Sequence, residues 1–371
     1  MKLIILKTNL REGLSSLDRV SADGTNLPIL KNVLIKVTDG KIVVSATNLE
    51  IGIERSLSGK VVEPGSVTVP FSTLSSIISN VDAERVNLES DGTNLIVKTD
   101  NYQAKIQGMN PEDFPIIPRL ENKDAYIEIG TGSLKEAIHG VIDAAQFSEI
   151  RPELSGVLFD FQITSMKLVA TDSFRLAEKT LYKNQYHASF EQGFKIIVPL
   201  KTIQEAVRGF GEDEKVRIHL DPNQIGFESA SERVVSRLIA GQYPDYDQIV
   251  PKKLETEMTM NREQLLSAVK LVSSFSGKVS DVRIALKGDE KTLEVFSVNQ
   301  HLGENSYLVP VKVQGPKFSG MSFNWRYLAD GLKAMKSETI LFGVNGEAKP
   351  AVIKSADDPS YFYLLMPIKA A

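Results

Sequence analysis

The sequence contains no cysteine. Disulfides, thiolate nucleophiles and Cys-based zinc sites are therefore excluded. Histidine is scarce too. His139, His187, His219 and His301 lie 48, 32 and 82 residues apart, and none has the short ligand spacing of a zinc site. Long hydrophobic runs are missing. The most apolar window, 361–368, is eight residues long, against the roughly eighteen needed to span a bilayer. The apolar run Leu3–Leu6 is too short for a secretion signal, and Lys7, Arg11 and Glu12 follow it closely. These absences predict a soluble cytoplasmic protein. No excess of positive charge exists either: 43 Lys and Arg face 47 Asp and Glu, a net charge of −4. That balance argues against an open-faced nucleic-acid binder relying on a large positive surface.

Catalytic signatures are also lacking. There is no G-x-x-x-x-G-K-[ST], no H-E-x-x-H and no G-x-S-x-G. Gly209-Phe210-Gly211 runs into Glu212-Asp213-Glu214, which repels phosphate, and Gly130-Thr131-Gly132 has no third glycine in register.

What is present is a globular composition, 42% hydrophobic and 24% charged over 371 residues, enough for two or three domains. The chain repeats itself. Val67-Thr68-Val69-Pro70 precedes a helical pattern with apolar Phe71, Leu74, Ile77, Ile78 and Val81. Ile196-Ile197-Val198-Pro199 precedes Leu200, Ile203, Ala206, Val207 and Phe210 in the same phase. Pro at such a helix start costs no hydrogen bond, because that N–H would be unpaired anyway. Forty-five residues after each proline stands another, Pro115 and Pro244. Alternating runs between them read as half-buried strands. A third, weaker copy starts at Phe323-Asn324 and ends at Pro367. The first halves agree as well: each opens with a strand and a helix, then reaches a strand ending at Asn48, Asp172 or Asn299.

The chain thus reads as three units of about 124 residues, a third of 371, with boundaries at 1–122, 123–251 and 252–371. Each is expected to hold two helices and about eight mostly antiparallel strands, an α+β fold with helices packed on sheets. Asp172 could be a catalytic carboxylate. The preferred reading is a corner residue that bonds its own backbone, because the sister copies carry the amides Asn48 and Asn299. An alternative function is an enzyme of unrelated α+β class, with Asp172 and Arg175 acting on a small anion.

The motifs Leu27-Pro28-Ile29-Leu30-Lys31-Asn32, Arg151-Pro152-Glu153-Leu154-Ser155-Gly156-Val157, Ala170-Thr171-Asp172-Ser173-Phe174-Arg175-Leu176, Tyr243-Pro244-Asp245-Tyr246 and Tyr363-Leu364-Leu365-Met366-Pro367-Ile368 together resemble the bacterial β sliding clamp family of DNA polymerase III. They fall in family order across the whole chain. The resemblance implies three repeated clamp domains in a ring-forming, head-to-tail homodimer that encircles duplex DNA, sheets outside and helices lining the hole. It implies a non-catalytic processivity subunit with no cofactor, no metal and no membrane contact, working at the nucleoid. The implied partners are DNA (without sequence preference), the polymerase III catalytic subunit, the clamp loader, other polymerases and repair proteins.

The family's partners insert a peptide into a groove. By resemblance it is lined here by Leu154, Thr171, Phe174, Arg175, Leu176, Pro244, Gln248, Ile249, Tyr327, Pro350, Leu364, Met366, Pro367 and Ile368. An apolar groove with an adaptable Met and a few polar rims suits that task. Read without the resemblance, Leu176, Ile249 and Leu364 are ordinary core residues. DNA-facing candidates are Arg11, Arg151, Lys201, Arg208 and Lys333. The predicted helices carry ten Lys or Arg against seven acids, a mild bias that suits weak, sequence-blind phosphate contact and that a solvated face explains nearly as well. For ring closure the candidates are strand 101–108, with Tyr102, Ala104 and Ile106 alternating, and strand 305–311 with helix 261–275, naming Leu271, Phe275 and Ser306. Pairing across the joint would cover otherwise open strand edges.

Three departures from the family pattern stand out. Ser173-Phe174 occupies the corner where Gly or Ser followed by His is usual, enlarging the apolar wall. Glu149 and Glu153 flank Arg151 where some members carry DNA-touching aromatics. Gly24-Thr25-Asn26 replaces an Arg found before the L-P-I-L motif in some members.

Overall fold

A computed structural model describes residues 1–21, 27–120, 125–190, 192–211, 214–288 and 291–368. Gly24-Thr25-Asn26, the linker residues Glu121–Lys123 and Glu212-Asp213 lie outside them. Each repeat contributes nine strands among the described residues, one more than expected. In the first these are β1 (Lys2–Leu6), β2 (Asn32–Thr38), β3 (Lys41–Thr47), β4 (Ile51–Leu57), β5 (Gly59–Glu63), β6 (Gly65–Pro70), β7 (Arg85–Asp91), β8 (Asn94–Lys98) and β9 (Gln103–Ile106). The second has β10 (Tyr126–Gly130), β11 (Gly156–Phe161), β12 (Ser165–Thr171), β13 (Arg175–Tyr182), β14 (Tyr186–Ala188), β15 (Phe194–Pro199), β16 (Lys215–Leu220), β17 (Gln224–Glu228) and β18 (Glu232–Arg237). The third has β19 (Thr256–Asn261), β20 (Asp281–Leu286), β21 (Thr292–Asn299), β22 (Gly303–Pro310), β23 (Lys312–Gln314), β24 (Met321–Asn324), β25 (Thr339–Val344), β26 (Ala351–Ser355) and β27 (Tyr361–Leu365).

Two helices per repeat hold for the second and third: α4 (Thr131–Val141) and α5 (Leu200–Gly209), then α6 (Arg262–Val272) and α7 (Trp325–Ala334). The first repeat has α1 (Lys7–Ser15), the one-turn α2 (Asp18–Ser21) and α3 (Phe71–Asn80). Its leading helix breaks where Ser15 and Ser16 turn their hydroxyls back onto the carbonyls of Glu12 and Gly13, a competition that weakens helices. The phase expected for α3 and α5 is observed, with Phe71, Leu74 and Ile78, then Ile203 and Ala206 buried, and α7 buries Leu328 and Leu332 at the same helical spacing. Lys336, one of the ten cations counted on the predicted helices, lies two residues past the end of α7.

The strands form four antiparallel sheets. One reads β5-β1-β7-β8-β9 and one β22-β21-β20-β24. The nine-stranded sheets read β14-β10-β16-β17-β18-β4-β3-β2-β6 and β15-β11-β12-β13-β27-β26-β25-β19-β23. Contacts group the chain into two compact units. Unit 1 holds Met1–Leu134, Tyr186–Glu191 and Lys201–Leu238; unit 2 holds Lys135–Gln185, Gln192–Leu200 and Ile239–Ala371. The middle repeat serves both, because its ninth strand joins the fourth of the first repeat, and its own fourth joins the ninth of the third. In unit 1 that joint is β18·β4, with Glu232 opposite Arg55 and Val234 opposite Ile53. In unit 2 it is β27·β13, with Tyr361 opposite Lys179 and Tyr363 opposite Ala177. No described helix is long and apolar enough to cross a membrane.

Candidate functional site

The corner after the third strand of each repeat follows one local rule. Asn48 Oδ1 accepts the N–H groups of Glu50 and Ile51 at 3.0 and 2.9 Å. Asn299 Oδ1 accepts those of His301 and Leu302. Asp172 Oδ1 accepts those of Phe174 and Arg175 at 2.9 and 3.0 Å. An amide and a carboxylate do this equally well, as the sequence comparison anticipated. Leu49 and Ser173, one residue on, both adopt positive φ, 75° and 77°. These two corners adopt that conformation although neither residue is glycine.

Of the three corner residues only Asp172 has a second oxygen acceptor. Asp172 Oδ2 accepts Arg175 Nε at 2.9 Å. The same guanidinium donates to Asp330 on α7 at 2.8 Å and stacks over Tyr327 at 4.2 Å. Burial opposes its charge, but Tyr363, Asp330 and Asp172 more than offset this and push its pKa higher still. The Asp172 carboxylate is almost completely covered and holds both the corner and its arginine. Arg175, assigned to the groove lining, is largely covered and acts as the tie beneath it.

Behind the corner lies one apolar cluster: Leu154, Leu158, Val169, Leu176, Ile197, Tyr243, Tyr246, Val352 and Leu364. β27 lays Leu364 opposite Leu176. Met366 N donates to the Phe174 carbonyl at 2.8 Å, so the chain leaving β27 runs along the corner. Thr171 Oγ1 donates to the Arg175 carbonyl at 2.6 Å. Tyr246 donates to Glu178 at 2.8 Å, and burial followed by that carboxylate pushes its phenol pKa up. Tyr243 is likewise pushed up by burial.

The groove residues divide into two layers. Leu176 and Leu364 are buried, as their reading as core residues anticipates, and Leu154 is buried with them, whereas Ile249, read the same way, is exposed. Phe174 is 60% exposed, and Ile249 and Met366 are exposed beside this core. Thr171 and Tyr327 sit inward, and Pro244, Pro350 and Pro367 are half-buried. Gln248 is exposed and donates to Asp245 at 2.8 Å. Ile368 is tethered by its N–H to the Ser322 carbonyl. Tyr243, Tyr246 and Val352 share the apolar cluster with Leu154, Leu176 and Leu364 and were not among the groove candidates. The two tyrosines stood in the Y-P-D-Y motif, but nothing local marked which side chains turn inward.

The cationic candidates are mostly self-paired. Arg208 lies 3.5 Å from Glu205 and Lys333 3.2 Å from Asp330. Burial pushes the Lys201 amine down, against Glu205. Arg151 bonds Glu153 and reaches Ser173 Oγ at 3.2 Å, bracing the Phe174 corner. Arg11 is exposed on α1. Among the described residues, no cluster of three or more His, Asp or Glu could hold a metal ion.

Both strands proposed for ring closure end a sheet: β9 one edge, β22 another. Tyr102, Leu271 and Ser306 are exposed, Ala104 and Phe275 half-buried. Ile106 requires correction. It is 5% exposed within a single chain, opposite Leu95 of β8. A charge there would enter the chain's own core rather than test a joint.

Profiles of the DNA polymerase III beta subunit match along the chain: the N-terminal domain at residues 1–118, the central domain at 128–245 and the C-terminal domain at 247–369. A beta sliding clamp from Synechococcus elongatus is 27% identical over 376 residues, covering 100% of this chain and 99% of the relative. A DNA polymerase sliding clamp from Bacillus subtilis superposes with a TM-score of 0.93 at 24% identity, covering all of both chains. A sliding clamp (DNA polymerase III subunit beta) from Pseudomonas aeruginosa bound to griselimycin also gives 0.93 at 24% identity, again with full coverage of both. With its threefold corner, its paired repeats and three successive matches spanning nearly its whole length, this chain belongs to the DNA polymerase III β subunit family, the bacterial sliding clamps.

Proposed function

We infer that the protein is a DNA sliding clamp: two copies close into a ring around duplex DNA and tether the replicative polymerase. We propose three clamp domains with boundaries at 1–122, 123–251 and 252–371. The observation that carries the reading is an unfinished sheet. By strand position within a repeat, one nine-stranded sheet reads 5-1-7-8-9-4-3-2-6 and the other the same backwards. The two smaller sheets read 5-1-7-8-9 and 4-3-2-6. They are the two halves of a third copy of that sheet, ending in β9 and β22. Joining β9 of one chain to β22 of another completes it, and a twofold axis makes two identical joints.

The internal joints also supply the register. Ala104 stands opposite Val97 as Val234 stands opposite Phe227 and Tyr363 opposite Ile353. Asn305 stands opposite Ser297 as Ile53 stands opposite Ala46 and Ala177 opposite Ala170. Ala104 therefore pairs with Asn305 of the other copy. Tyr102 then meets Tyr307, Gln103 meets Ser306, and Lys105 meets Glu304, an opposite-charge pair of the kind that steadies adjacent strands. Leu271 and the turn through Phe275 flank β22, with Asn305 bonded to the Leu271 carbonyl.

We read the protein as non-catalytic. Phe174, Ile249 and Met366 over the buried leucine floor would take the apolar anchors of a partner peptide, which the clamp loader, other polymerases and repair proteins would share. The self-paired helix cations suit DNA contacts loose enough to slide. The decisive test is loading onto nicked circular DNA with a clamp loader and ATP. The clamp should stay for minutes in 200 mM salt and leave quickly once the circle is cut. Ordinary phosphate binding through six to ten contacts would lose about 10³–10⁵ in affinity between 50 and 200 mM salt. Residence that salt abolishes and cutting leaves unchanged overturns the ring.

A further inference from the structure

The joint in unit 1 carries a cavity of its own, of about 210 Å³. Its walls are the corner from Thr47 to Gly52, the segment Pro115-Ile116-Ile117-Pro118, and Gln224 with Val235–Arg237. These are the counterparts, position by position, of the groove in unit 2. Thr47 matches Thr171, Gly52 matches Leu176, Pro115 matches Pro244, Val235 matches Leu364 and Arg237 matches Met366. The backbone agrees as well. Arg237 N donates to the Glu50 carbonyl at 3.0 Å, as Met366 N donates to that of Phe174. The corner has the same side-chain turn and the same positive φ. Beneath it sits a smaller apolar cluster of Ile29, Leu30 and Phe114, with Leu30 and Phe114 in the places of Leu154 and Tyr243.

The chemistry has changed at the rim. Ile117 lies over Gly52, where a Cβ would come within 2.8 Å of it, so the floor is already filled and the recess is shallow. Ile116 stands 93% exposed between two prolines, and Leu49 is exposed across from it. Such apolar surface at a formed recess marks interaction sites. Where Met366 stood there is now Arg237, exposed and without an ion pair among the described residues. Among the described residues that line the cavity, Glu50 is the only acid. The volume suits one or two side chains, not a drug-sized ligand.

We propose that this is a second docking groove, and that its occupant is a short extended segment of a partner protein presenting an apolar side chain beside an acidic one. The apolar side chain lies against Ile116 and Leu49. The carboxylate pairs with Arg237. The proposal rests on this cavity and its charges and does not need the groove in unit 2 to bind anything.

The test uses the full-length protein with ¹³C-labelled isoleucine methyls. The probe is acetyl-Ser-Leu-Asp-Leu-Glu-Ser-amide, and the control is the same peptide with Lys at both acidic places. Ile51, Ile116 and Ile117 report on this groove; Ile249 and Ile368 report on the other. The acidic peptide should shift the first set saturably, and Arg237→Glu should weaken it at least tenfold while other methyl signals hold their positions. That variant should take the Lys peptide better than the unmodified protein does. Met366→Glu should leave these shifts unchanged. No shift in the first set, shifts confined to Ile249 and Ile368, or equal affinity for both peptides overturns the proposal.

Discussion

The joints β18·β4 and β27·β13 share one backbone plan and treat charge in opposite ways. At the first, Arg55 meets Glu232 at 3.1 Å, with the Glu232 carboxylate almost completely covered. Burial pushes its pKa up, Arg55 only partly offsets this, and nearby Glu205 raises it further. Glu205 itself is buried, with one oxygen lacking a hydrogen bond. At the second, Tyr361 stands in the place of Glu232 and donates to the Gly140 carbonyl at 2.8 Å. Lys179 stands in the place of Arg55 and serves two acids, Asp358 at 2.8 Å and Glu136 at 3.4 Å. Glu136 is held low by Lys336 first, against burial, with help from Lys179. Burial works against the Asp358 charge, but Lys179 and Ser360 outweigh it. Equal geometry therefore does not mean equal energetics. One joint crowds two acids in a dry place, and the other spreads its charges to the rim, where solvent supports them.

The largest test concerns the third joint, which two copies must make. Leu271→Asp places a charge beside β22 and should bring the solution mass from two chains to one, 40.9 kDa, by sedimentation. The double swap Lys105→Glu with Glu304→Lys should keep the dimer, whereas either single change weakens it. A dimer indifferent to Leu271→Asp, with both single changes neutral, sinks the proposed register.

Next comes the contrast between floor and rim in unit 2. Leu176→Ala empties a core site and should cost about 2–5 kcal/mol of stability. Phe174→Ala removes an exposed ring and should stay within about 0.5 kcal/mol, yet weaken an apolar-anchored clamp peptide severalfold. Thermal melts paired with fluorescence anisotropy separate the two. Equal loss of stability in both variants would mean the rim is core.

The smallest effect is in pH. A carboxylate whose pKa rises on folding stabilises the fold most below its unfolded value and progressively less as pH climbs through its folded one. Glu232 should therefore favour unit 1 at acid pH, and Glu232→Gln should flatten that trend. Glu136 and Asp358 are depressed, so their contribution is present above about pH 4 and fades as pH falls through their folded values. Lys179→Met should flatten the acid loss in unit 2. Hydrogen exchange followed separately at β4 and β13 between about pH 3 and 6 reads both. Parallel slopes in the two joints would contradict the charge comparison.

Local chemistry explains why some of the site was legible. The corner turns depend on residues within three positions of Asn48, Asp172 and Asn299, so the residue types suffice. Pro70 and Pro199 mark helix starts for the same reason. The groove candidates were named only through the family motifs, since buried leucines look alike wherever they pack. That Arg175 is bound 155 residues away to Asp330 had no local trace. Nor did the burial of Ile106, whose alternation with Ala104 and Tyr102 fits either face of a sheet until its neighbour is known.

The sequence by itself determined the threefold repeat, the helix phases, the corner turns and the family, because short-range periodicity and side-chain-to-backbone bonds are written in neighbouring residues. The tertiary structure alone decided which strands join across repeats, which leucines share one core cluster, and which cations are already spent on nearby acids. Those outcomes depend on groups brought together from distant places in the chain, where burial and partner set the worth of every charge.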